Sequence, residues 1–153
     1  MRSAPDQPRR AGATPFGDYV LFGEALIALT AASLAIRLLP FRVVVAAAVH
    51  PAVRRPLAPE RRRERRARVR RAVTRLAGRL PWRPLCFPQG LAAQWMLRRR
   101  GIPSVLYYGA APDRAKGVAA HVWVCDDDVA VVGGEAARGM AILARFPGEQ
   151  ALS

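Results

Sequence analysis

The stretch that decides the fold is Leu80-Pro81-Trp82-Arg83-Pro84-Leu85-Cys86-Phe87-Pro88-Gln89-Gly90-Leu91-Ala92-Ala93-Gln94-Trp95-Met96-Leu97-Arg98-Arg99-Arg100-Gly101. Pro88 fits the first turn of a helix, where the N–H it lacks would have no partner. Leu91, Ala92, Trp95 and Met96 recur at helical spacing, so one face of this helix is expected to be buried. Three arginines suit the negative end of the helix dipole, and Gly101 supplies the cap. Downstream, Ala120-His121-Val122-Trp123-Val124 opens a strand pattern, Asp126-Asp127-Asp128 reads as a turn, and Val129 to Val132 returns.

These two pieces carry the candidate chemistry. A free thiol is mostly protonated at neutral pH and is then a poor nucleophile. A helix start, with unpaired backbone N–H groups and the positive dipole end, favours the thiolate. Cys86 occupies such a start, and His121 offers an imidazole on a strand. Together they make a thiol–imidazole pair plausible. By position alone a buried structural thiol is the stronger reading of Cys86, since free cysteines are commonly buried. Trp123 shares the strand face of His121 and reads as packing; Cys125 reads as a small buried or turn-edge residue.

The stretch from Leu80 to Ala111, followed by Ala-Ala-His121-Val-Trp-Val and the aspartate turn, resembles the leader peptidases of lasso-peptide biosynthesis. These belong to the transglutaminase-like superfamily. The resemblance implies Cys86 as nucleophile and His121 as general base. It also implies an aspartate about a dozen residues after the histidine, and this chain has Gly133 there. If Cys125 pairs with Val129 across the turn, His121 faces position 133. Glu135, two residues on and on the same face, is then the expected third member. A backbone carbonyl or a water is the alternative way to orient the ring. Gln89 or the Cys86 backbone N–H is a candidate oxyanion donor by analogy.

The resemblance further implies a cysteine peptidase that removes the leader from a ribosomally made precursor peptide ahead of ring closure by a separate cyclase. Leader recognition in that family uses a short strand-rich domain. Nothing up to Leu80 has that pattern, so a separate leader-recognition protein is the expected partner. Two rivals stand beside this reading. One is another transglutaminase-like amidase or acyl transferase. The other is a non-catalytic basic adaptor for nucleic acid or membrane.

Length and composition bound the rest. With 153 residues there is room for one core. The net charge of +14 comes almost wholly from arginine, and it attracts polyanions, membranes and acidic peptides. No helix-turn-helix, finger or RNA-motif signature accompanies it, so nucleic acid is not expected. Two cysteines and two histidines without finger spacing give neither a disulfide framework nor a zinc site, and no cofactor is expected.

Residues 1–17 read as a flexible tail rich in Pro, Arg and Gly. Residues 18–80 read as a helical region, packed as one unit with a peptidase core over 81–153. Ala25 to Ile36 is apolar but short for a bilayer span, so a buried helix is expected, membrane contact is not favoured, and the chain is expected in the cytoplasm. A short apolar piece follows over Phe41 to Val49, with His50 as a capping or surface residue. Glu60 to Leu80 reads as a basic amphipathic helix. Its arginines, from Arg61 to Arg75, form either a solvated face or a docking surface for an acidic partner. Pro103 to Tyr108 is expected as a strand, Ala110 to Ala120 as a loop, and Met140 to Phe146 as a further strand. Helices first and an antiparallel meander afterwards predict an α+β domain with a transglutaminase-like or papain-like core.

Overall fold

The computed structural model describes residues 15–40, 42–44, 46, 56–115 and 117–147. Most of the expected tail, most of the 41–49 piece and His50 lie outside these residues. Three long helices come first: α1 (Pro15–Leu38), α2 (Pro59–Ala77) and α3 (Cys86–Arg99). Four strands follow: β1 (Val105–Asp113), β2 (Gly117–Asp126), β3 (Val129–Val132) and β4 (Ala141–Phe146). They form one antiparallel sheet in the order β3-β2-β1-β4. The architecture is α+β.

Helix α1 begins at Pro15, three residues inside the expected tail. Proline suits a first helical position, and Asp18 in the first turn complements the dipole. The helix buries a single stripe: Leu21, Ala25, Leu29 and Ala32 recur every three or four residues. Each buried leucine stabilises by roughly 2 kcal/mol. The opposite side is exposed, with Ile27 at 72% and Leu38 at 74%, so within this chain only one side of the expected buried helix is covered. By length and composition Gly17–Leu38 is long and apolar enough to cross a membrane.

Helix α3 is the central element. Its residues from Gly90 to Gln94, with Met96 and Leu97, are buried between the other helices and the sheet. Gly90 lets it approach closely: a Cβ there would lie 2.8 Å from Val122 Cγ1 and 3.6 Å from Val124 Cγ2. At the other end Gly101 takes φ +72, the left-handed conformation of a helix stop. Gln94, fully buried, donates from Nε2 to the carbonyls of Ser104 (3.3 Å) and Phe146 (2.7 Å), tying the helix to both β1 and β4.

The expected loop over Ala110 to Ala120 is mostly strand. Its alanines pair across β1 and β2, Ala110 with Ala120 and Ala111 with Ala119, leaving a short turn around Arg114. Pro112 is tolerated because it lies past the last pair of β1 with β4, Ala110 with Ala141, where no ladder bond is lost on that side.

The arginine face of α2 is neither simply solvated nor simply free. Arg62 Nε (2.9 Å) and Arg66 Nη1 (3.1 Å) donate to Asp126, which is fully buried at the tip of the β2–β3 hairpin. Arg62 also reaches Asp127 at 2.8 Å, and Arg70 pairs with Glu135.

Candidate active site

Cys86 is the first residue of α3, preceded by Leu85 in extended conformation with no side-chain cap. Gln89 Nε2 donates to the Pro84 carbonyl at 2.7 Å and so fixes the turn that delivers the cysteine. That bond uses one of the two N–H donors of Gln89, which, with the Cys86 backbone N–H, is the candidate oxyanion donor. The second cysteine, Cys125, sits where its thiolate is disfavoured. Burial first, then the charges of Asp128 and Asp126, push its thiol up from the ordinary value.

His121 lies mid-way along β2, paired with Gly109 of β1. Its ring is fixed on two sides. Nε2 lies 2.8 Å from the Gly133 carbonyl oxygen. A carbonyl only accepts, so Nε2 carries the proton and Nδ1 is left as the basic nitrogen of the neutral ring. Trp123 stacks beside it, ring centroids 6.4 Å apart, and Tyr107 stacks on Trp123 at 5.6 Å. Gly109 makes room for this arrangement. A Cβ there would sit 2.7 Å from the Trp123 ring and 2.9 Å from the Ala141 carbonyl.

Glu135 does not hold the ring. It is 69% exposed and ion-paired with Arg70 of α2. The register differs from the expected one, but the early end of the ladder is what keeps Glu135 away. Asp126 pairs with Val129 across a two-residue turn, with Asp127 at φ +51. A bulge then shifts the pairing, so that Cys125 meets Ala130 but Val124 meets Val132. Three residues back from Val124 is His121, and three on from Val132 is Glu135, so a continued ladder would set these two opposite each other. It does not continue. Gly133 turns the chain out at φ +79 into a single 3-10 turn over Gly134–Ala136. The backbone carbonyl of Gly133 therefore does the orienting, the alternative open from the sequence.

Placement of Cys86 and His121 follows from the packing of α3 on β2. Gly90 abuts Val122, and the helix runs back from there by one turn, about 6 Å, to Cys86. This brings Cys86 to the His121 end of the sheet. Strand alternation sends Val122 and Val124 toward α3 and His121 and Trp123 to the opposite face. Among the described residues no hydrogen bond joins Cys86 to His121. Beside His121 the outer edge of β2 is bare of strand, because β3 pairs no further along β2 than Val124.

A family model described as the transglutaminase-like superfamily matches residues 26–144. The chain belongs to the transglutaminase-like superfamily. The match runs from α1 into β4, over three quarters of the chain, so helices and sheet both fall within this transglutaminase-like domain. No curated protein and no solved structure matches it. The superfamily generally contains cysteine-dependent enzymes. Within the domain, the glycines at 90, 109 and 133 are the positioning residues that sequence reading missed; only the Gly133-Gly134 pair interrupted a pattern visibly.

Proposed function

We propose that this transglutaminase-like domain is a cysteine peptidase that removes the leader from a ribosomally made lasso precursor peptide in the cytoplasm. It works with a separate leader-recognition protein and ahead of a cyclase. The observation that carries the reading is a helix-start cysteine, in a transglutaminase-like domain, at the same end of the sheet as a histidine whose Nδ1 is left basic. In this reading His121 takes the thiol proton and Cys86 Sγ attacks the scissile carbonyl. The imidazolium then protonates the leaving amine as the C–N bond breaks, and water hydrolyses the thioester. This step requires the Cys86 and His121 side chains to come together in the substrate complex, and the Gly133 carbonyl, with no acid, steadies the ring.

The test is cleavage of a precursor peptide, read by mass spectrometry as two fragments. Cys86→Ala is expected to abolish it and Cys125→Ala to retain most of it. Full activity in Cys86→Ala rejects the nucleophile. A cross-linked product in place of two fragments makes the domain an acyl transferase. The opposite-face placement of His121 favours one second reading, a non-catalytic adaptor. In that case Cys86 reacts with thiol reagents no faster than the half-buried Cys125.

A further inference from the structure

A cleft of about 390 Å3 opens between α1, α2 and the C-terminal end of α3. Four guanidinium groups line it, Arg65 and Arg68 from α2 and Arg99 and Arg100 from the end of α3, against a single carboxylate, Glu24, and an apolar wall of α1. The charges inside do not balance. Glu24 is taken by Arg100, whose Nη1 and Nη2 reach its two oxygens at 2.9 and 2.5 Å. Arg99 approaches the same carboxylate only to 3.7 Å and is 76% exposed. Arg68 is bound through Nη2 to Asp18 at 3.3 Å, but its Nε is sealed from solvent and has no acceptor among the described residues. Arg65 gives Nη1 to the Arg100 carbonyl at 3.1 Å, which satisfies a donor without neutralising a charge.

Four cations around a cleft of ligand size, against one carboxylate already paired, call for an anion. Guanidinium forks match the planar oxygens of carboxylates and do so from two helices here. The cleft lies at the opposite end of α3 from Cys86. Fourteen helical residues separate the two, about 20 Å, which an extended peptide of six or seven residues spans. We propose that this cleft binds carboxylate side chains of an acidic segment in the peptide substrate, some six residues from the scissile bond. That the bound chain is the substrate rests on the peptidase reading; that the cleft takes carboxylates does not.

The experiment uses the full chain with labelled tetraglutamate and tetraglutamine peptides, read by fluorescence anisotropy, with pyrophosphate as competitor. Tetraglutamate is expected to bind and tetraglutamine not. Arg65→Gln and Arg99→Gln should each weaken binding about tenfold, as loss of one charge-assisted pair. Arg63→Gln, on the far side of α2, should change it less than twofold. Equal loss in Arg63→Gln, no tetraglutamate binding, or binding of pyrophosphate alone overturns the proposal. Cys86→Ala should bind tetraglutamate like the unaltered chain. Failed cleavage by the unaltered chain beside intact tetraglutamate binding counts against the peptidase reading and leaves the cleft assigned.

Discussion

A methyl group on Gly133 would sit 3.1 Å from His121 Nε2 and 2.6 Å from the Val122 carbonyl oxygen, at a backbone φ of +79. Gly133→Ala is therefore expected to cost about 2 kcal/mol from the left-handed backbone alone, with the contacts adding to it. It should also lower cleavage by displacing the carbonyl that holds the ring. Gly133→Asp, which restores the acid that the family resemblance leads one to expect, should not rescue a dyad, since its Cβ meets the same atoms. Thermal unfolding and single-turnover cleavage of both variants check this. Gly109→Ala drives the Trp123 ring off its seat and should cost about 2 kcal/mol by overpacking. Loss of near-ultraviolet tryptophan circular dichroism is the signature to look for. The cysteine at a helix start was legible, because Pro88 and the apolar repeat that follows mark the helix. The partner of His121 was not. It is a main-chain oxygen, delivered by a bulge and a left-handed glycine, and neither leaves a side-chain signal to read.

Periodicity showed α2 as a basic amphipathic helix, which ends at Ala77 and not at Leu80. What its arginines do was hidden, because their acids lie 60 to 65 residues away in the hairpin. Asp126→Ala removes a fully buried carboxylate from between Arg62 and Arg66. A loss of about 3 kcal/mol is expected by chemical denaturation. Glu135→Ala breaks a solvent-exposed pair with Arg70 and should change stability by less than about 1 kcal/mol. Glu24 gives a pH dependence. Burial alone would raise its carboxyl, but the Arg100 hydrogen bond and the charges of Arg100 and Arg99 together outweigh that and hold it below the ordinary value. A carboxyl depressed in the folded state stabilises above its unfolded value and loses that stabilisation as pH falls through the folded one. Stability should thus decline below the ordinary Glu range near pH 4.5, and Glu24→Gln should flatten that decline while lowering stability at neutral pH by about 2 kcal/mol. The hairpin of β1 and β2 was misjudged in length because alanine and proline are poor strand formers by propensity. Pairing with neighbouring strands overrides that preference.

Among the described residues, α2 and α3 pack on the four-stranded sheet, α1 packs on those two helices, and the outer side of α1 is apolar and open. The α+β class was readable from the order of elements, helices and then strands. The half-exposed α1 was not, since an all-round apolar helix has no polar face to announce which side is covered. With a separate leader-recognition protein as partner, processing should rise when that protein is added, because tethering raises the local concentration of substrate. The comparison is initial rate at low precursor concentration with and without it; equal rates argue against the division of labour. The clamp of Arg62 and Arg66 on Asp126 has a further consequence for how the chain is made. Residues 1–85 contain eighteen arginines and five carboxylates, and the acid that the clamp needs is encoded about sixty residues after it. At ordinary elongation rates that is a wait of roughly 3–12 s, during which a strongly cationic helical half leaves the ribosome beside its own RNA before the partner of Arg62 and Arg66 is made. Chains stopped before the hairpin should therefore co-purify with ribosomes, and chains that reach Asp126 should let go.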